Sequence, residues 1–144
     1  VSMWDMAPTI LDLAGVNVPS DIQGVSMKTL LQNRTTSWRD AFYYHFYGFG
    51  AEKEWFCAHE MLGVRTATGK LVYYPTWKNG PFWEYFDLTQ DPQEMNNLYH
   101  DPSREKEVAK YKDKLLGLAR RHKDTAVIQC LTGNRLPARR EVPE

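Results

Sequence analysis

The 144 residues, 42% apolar and 25% charged, suffice for one domain with its own core, with no need of disulfides or metals to staple it. Eighteen lysines and arginines balance eighteen aspartates and glutamates, so the net charge of zero gives no electrostatic ground for nucleic acid or an anionic membrane as partner. No apolar run reaches the ~20 residues of a membrane span, and the first residues lack the basic-then-apolar layout of a signal peptide.

The chain begins at Val1 and is read as a piece of a longer protein, so the missing leader says nothing about where the parent resides. Ser2-Met3-Trp4-Asp5 has the Ser-x-x-acid pattern of a helix start. Met6, Ile10, Leu13 and Ala14 follow at helical spacing and Gly15 supplies a stop, which predicts a helix over 3–14 with Pro8 near its first turn. Residues 18–24 read as loop and 27–31 as a short helix or turn.

From Trp38 the period changes. Phe42, Tyr44 and Phe46 alternate with Tyr43, His45 and Tyr47, as in a strand. Residues 62–66 and 71–74 form two short strands joined through Ala67-Thr68-Gly69, a hairpin connection. A further strand over 83–88 ends at Asp91-Pro92, and these four close strands are expected to be antiparallel. Asp101-Pro102 opens the clearest helix, with Val108, Tyr111, Leu115 and Leu118 on one face. The expected class is α+β, a small four-stranded antiparallel sheet packed on a C-terminal helix. The aromatic residues, 13% of the chain, suit a core, an interface or a sugar-binding surface equally. Cys57 and Cys130 are too few for a disulfide framework; they are read as unpaired, with a bridge left open.

The order of segments is distinctive: Asp5-Met6-Ala7-Pro8-Thr9-Ile10-Leu11, Gln23-Gly24-Val25-Ser26, Trp38-Arg39-Asp40-Ala41-Phe42-Tyr43-Tyr44-His45, Gly63-Val64-Arg65-Thr66, Lys70-Leu71-Val72-Tyr73-Tyr74, Glu84-Tyr85-Phe86-Asp87-Leu88 and Asp91-Pro92-Gln93-Glu94-Met95-Asn96-Asn97-Leu98. Over roughly residues 3–120 it resembles the C-terminal region of formylglycine-dependent sulfatases of the alkaline phosphatase superfamily, especially bacterial ones acting on sulfated carbohydrates. The resemblance implies that residues 1–35 end a catalytic α/β domain, 36–122 form the sulfatase C-terminal subdomain and 123–144 a tail. It also implies a parent that uses calcium and a formylglycine, resides in the periplasm or is secreted, and has a missing N-terminal catalytic domain and a sulfated carbohydrate as partners. Where the family commonly has a bulky aromatic before Lys70, this chain has Gly69, and residues 48–59 fall where members vary.

The chemistry itself is not in this stretch. A formylglycine arises from Cys or Ser in a Cys/Ser-x-Pro-x-Arg motif, which neither cysteine nor any serine here satisfies. The family's calcium ligands, paired Asp and Asn or His, are missing, and His45, His59, His100 and His122 show no metal-ligand spacing. The chain alone is expected to hydrolyse nothing, to complete the fold and the pocket wall, and to expose an apolar face open to self-association.

Five residues are candidates for touching substrate. With the sheet's Phe42, Tyr44 and Phe46 face covered by the helix, His45 faces the missing domain and can donate to a sulfate or sugar oxygen; the plainer reading is a histidine bonded at a domain interface. Arg65 and Lys70 flank the hairpin turn, as an anion-binding pair or as ties to nearby carboxylates. Trp77 could stack on a sugar and His59 could reach a pocket rim, though core packing is the commoner use of tryptophan. The alternatives for the whole chain are a stand-alone glycan- or protein-binding module, and the end of a related phospho- or phosphonate-ester hydrolase.

Overall fold

The computed structural model describes residues 1–34, 37–46, 60–75 and 81–133, in two units, Val1–Arg39 and Asp40–Glu144. His59, Trp77, Tyr47 and Cys57 lie outside the described residues.

In the first unit a 3-10 turn, Met3–Asp5, runs into α1 (Met6–Leu13), and α2 (Lys28–Leu31) follows a loop. The expected capping box forms: Ser2 caps the turn, and its own N–H donates to the Asp5 carboxylate at 2.8 Å. Pro8 falls in the first turn of α1, where its missing N–H costs no helical bond, and Gly15, at φ 73°, ends the segment. Asp5, Thr9 and Asp12 stand on one helical face and stitch the loop to it. The Val25 N–H donates to Asp5 at 3.0 Å, the Met27 N–H to Thr9 Oγ1 at 2.9 Å, and Ser26 Oγ to Asp12 at 2.6 Å. Gly24 is required by a close approach, since a Cβ there would collide with the Trp4 carbonyl. The apolar residues of the helical segment are left outside: Met3, Met6, Ile10 and Leu13 are 82, 52, 62 and 54% exposed.

The second unit has the expected α+β architecture. Strands β1 (Ala41–Phe46), β2 (Met61–Thr66), β3 (Gly69–Tyr74) and β4 (Phe82–Asp87) form an antiparallel sheet in sequential order, with α3 (Glu105–Arg121) and α4 (Thr125–Leu131) against it. Register places Tyr43 opposite Val64, Val64 opposite Leu71, and Leu71 opposite Tyr85. These side chains share one sheet face, onto which α3 brings Val108, Tyr111, Leu115 and Ala119 and α4 brings Val127. Leu62, Val64, Leu71, Leu115 and Val127 have no exposed surface, and each stabilises the fold by roughly 1.5–3 kcal/mol. Asp101 caps the start of the C-terminal helical segment, accepting from the Ser103 N–H at 2.8 Å with Pro102 first in line, as expected. α4 lies within the stretch read as tail and is capped by Asp124.

One face assignment is corrected. The helix covers the Tyr43 and His45 side of β1, not the Phe42, Tyr44 and Phe46 side. Both sides of β1 are aromatic, so alternation marks a strand without saying which face is inward.

Gly69 explains its own departure from the family pattern. A Cβ there would lie 2.5 Å from the Tyr111 hydroxyl and 2.8 Å from Cζ, so the ring of α3 fills the space a side chain would take. The Tyr111 hydroxyl then bonds Thr66 Oγ1 at 2.6 Å, tying α3 to the hairpin turn. Gly69→Ala is therefore expected to lower stability by about 1–3 kcal/mol through overpacking, read as a lower urea midpoint. An unchanged midpoint would show that the ring shifts freely.

β4 has a partner on its outer side that is not a strand. The Leu98 N–H donates to the Tyr85 carbonyl at 2.8 Å, Asn97 Oδ1 accepts from the Tyr85 N–H at 3.0 Å, and Asn97 Nδ2 donates to the Trp83 carbonyl at 3.0 Å.

Candidate functional site

His45 is enclosed rather than presented. Its side chain is 3% exposed, with Nδ1 2.9 Å from Asp124 and Nε2 3.1 Å from Glu60. Tyr43, two residues back on the same face, donates from its hydroxyl to Asp124 at 2.6 Å and stacks on the His122 ring at 5.5 Å. Burial, the largest influence on Asp124, works to raise its pKa. Donors from Tyr43, His45 and the Val127 N–H outweigh it and hold the carboxyl below its ordinary value. With both ring nitrogens on carboxylates, His45 fastens α4 and the start of β2 to β1.

Arg65 and Lys70 are a register pair on the opposite face, which alternation places on adjacent strands of the hairpin. Both reach Glu94: Arg65 Nη1 lies 2.5 Å from Oε1, and the Lys70 ammonium contacts Oε2. Glu94 adopts a left-handed backbone, φ 57°, in a loop whose Asp91 carboxylate accepts the Asn96 N–H at 2.8 Å. Burial tends to raise the Glu94 pKa, but Lys70 and Arg65 lower it further. Two cations on one carboxylate leave a net positive charge, and Arg65 is half exposed, so the cluster can receive an anion from that side. Nearby on this face, Tyr44 lies over Gly63, and burial pushes its hydroxyl pKa up.

Among the described residues the acidic side chains do not form a cation site. Asp5 is held by Arg39, Asp12 by Lys28, Asp87 by Thr89 and Arg104, and Asp91 by a backbone N–H. Among the described residues no group of three His, Cys, Asp or Glu side chains could hold a metal, so this donor set does not fit calcium. The structure thus brings Arg65 and Lys70 together and sets His45 apart from them, on the other face of the sheet. The expected ties of Arg65 and Lys70 to a carboxylate are present, but sequence reasoning did not name the carboxylates involved. Glu94 was visible only as part of a motif, and Glu60 and Asp124 lie 15 and 79 residues from His45.

Comparison with known proteins places this arrangement. The family model for the C-terminal region of N-sulphoglucosamine sulphohydrolase matches residues 1–121. An N-acetylglucosamine-6-O-sulfatase of Bacteroides thetaiotaomicron is 44% identical over 98 residues, 66% of this chain and 17% of that protein. A structure solved in complex with its substrate D-glucosamine-2-N,6-O-disulfate superposes with a TM-score of 0.74 at 38% identity, covering 84% of this chain and 24% of its own. The phosphonate monoester hydrolase of Agrobacterium radiobacter shares the fold alone, at 24% identity and a TM-score of 0.66 over 82% of this chain and 24% of its own. The chain spans about a sixth of the length of the curated sulfatase it matches at 44% identity. With a family match over residues 1–121, which takes in the first unit and most of the second, the chain belongs to the C-terminal family of the N-sulphoglucosamine sulphohydrolases.

Proposed function

We propose that this chain is the C-terminal part of a larger sulfatase that hydrolyses sulfate esters of carbohydrates, with sulfated glucosamine as the substrate class. The observation that carries this is the identity, 44% and 38%, to two proteins whose names record a 6-O-sulfatase of N-acetylglucosamine and a disulfated glucosamine substrate. The parent's nucleophile, a formylglycine, and its calcium belong to the N-terminal catalytic domain, and the protein works in the periplasm or outside the cell. Residues 1–35 end that catalytic domain, and residues 36–122 form the subdomain that closes it. The uncovered apolar side of α1 supports this reading, because a helix with Met6, Ile10 and Leu13 in water has a covering element elsewhere. Within the subdomain, the half-exposed Arg65, backed by Lys70 and Glu94, contributes to the pocket wall as an anion contact.

The full-length protein is expected to release sulfate from glucosamine 6-O-sulfate, while the 144-residue chain releases none. Arg65→Gln in the full-length protein is expected to raise KM severalfold with kcat little changed, as for lost ground-state binding. Hydrolysis of phosphonate monoesters with no action on sulfate esters would overturn the reading.

A further inference from the structure

Two nearly enclosed carboxylates flank His45 on the covered side of the sheet, and no lysine or arginine answers them. The side chains of Asp124 and Glu60 are 10 and 16% exposed. Among the described residues His45 is the sole ion-pair partner of either. A neutral imidazole has one N–H and one lone pair, so it satisfies one of two carboxylates and turns a lone pair on the other. Here both ring nitrogens stand at donor distance, 2.9 Å from Asp124 and 3.1 Å from Glu60. Asp124 is ionised, because its donors hold its pKa below the ordinary value against the opposing effect of burial. The other groups around the ring supply no counter-charge. Tyr43 is a neutral donor to Asp124, and His122 stacks on the Tyr43 ring without bonding either carboxylate. Tyr73, near enough to Glu60 and Cys130 to feel both, stays protonated because burial pushes its hydroxyl pKa up.

We propose that His45 is a doubly protonated clamp, with Nδ1–H on Asp124 and Nε2–H on Glu60, and that loss of the second proton unfastens the start of β2. The proton leaves Nε2 for solvent. Nδ1–H stays in place because Asp124 is itself fixed, accepting also from the Tyr43 hydroxyl and the Val127 N–H. The Glu60 side chain makes no other hydrogen bond among the described residues, so it then faces a lone pair and turns outward to water. Register sets Met61 opposite Phe46 and Leu62 opposite His45, so the loosened stretch is the head of β2. α4 keeps its cap, which the other Asp124 oxygen makes. A rise in pH therefore opens one side of the clamp and leaves the other shut.

The test is NMR of the full-length protein carrying nitrogen-labelled histidine, with the His45 signals assigned by their loss in His45→Gln. At pH 7 both ring nitrogens are expected to resonate as N–H, and on raising the pH Nε2 alone is expected to move into the lone-pair range. Glu60→Gln offers Nε2 an amide donor, so in that variant His45 is expected to hold one proton, on Nδ1, already at pH 7. Hydrogen exchange, corrected for its intrinsic pH dependence, is the second readout. Going from pH 7 to pH 9 is expected to cut protection at Met61 and Leu62 about tenfold in the wild type and less than twofold in Glu60→Gln, with α4 unchanged in both. A lone-pair nitrogen in the wild type at pH 7, loss of the proton from Nδ1 instead of Nε2, or equal loss of protection in the two proteins would each overturn the clamp.

Discussion

Asp124→Ala is expected to lower the stability of the second unit by about 3 kcal/mol, summing three lost contacts of on the order of 1 kcal/mol each. One carboxylate oxygen caps α4 by accepting the Val127 N–H at 3.1 Å, and the other takes the Tyr43 hydroxyl and His45 Nδ1. Its removal frees the end of α4, so Val127 loses the anchor that keeps it in the core. Asp124→Asn keeps an acceptor for the cap and is expected to lose less. The same carboxylate imposes a pH dependence. Its folded pKa lies below the ordinary 3.8, so its stabilisation is complete above that value and is lost as pH falls through the folded one. Urea midpoints between pH 7 and pH 3 should fall more steeply for the wild type than for Asp124→Asn. Parallel curves for the two proteins would sink this account.

The second large effect belongs to the first unit. Asp5 has no exposed surface, and its carboxylate accepts from the Ser2 and Val25 N–H groups and from the Arg39 guanidinium. Asp5→Ala leaves two N–H donors and a cation without their acceptor, a change of about 3–5 kcal/mol. The loss is expected to be local: faster hydrogen exchange at Val25 and earlier proteolytic cutting within residues 22–28, with the exchange pattern of β2, β3 and α3 unaltered. Uniform loosening of both units would mean that Asp5 does more than hold the loop.

These residues show what a sequence can carry. Ser2 with Asp5, Asp101 with Pro102, and Gly15 are local signals, because a cap or a helix stop involves only a few consecutive residues. The strands were legible for the same reason, since alternation and a short glycine-bearing connection are read within one hairpin. The inward face of β1 was not. A polar histidine is ordinarily assigned to the solvent side, and His45 is buried because Asp124 and Glu60, far away in the sequence, satisfy both its nitrogens. α4 was hidden by its length: seven residues give too few turns for a periodic stripe, and only Asp124 at its head and Val127 within it hinted at a helix. Of the candidate site, the Arg65 and Lys70 pairing followed from the hairpin register. Their common carboxylate came from a loop whose left-handed residue, Glu94, no local rule predicts.

The segment at Asn97 and Leu98 closes part of the outer edge of β4. An open strand edge is a template onto which another chain can add its own backbone, the first step of amyloid-like growth. Here that template is blocked from within, because Asn97 and Leu98 already answer the Tyr85 N–H and the carbonyls of Trp83 and Tyr85. A strand added to this side of β4 would find no free backbone rail beside Tyr85.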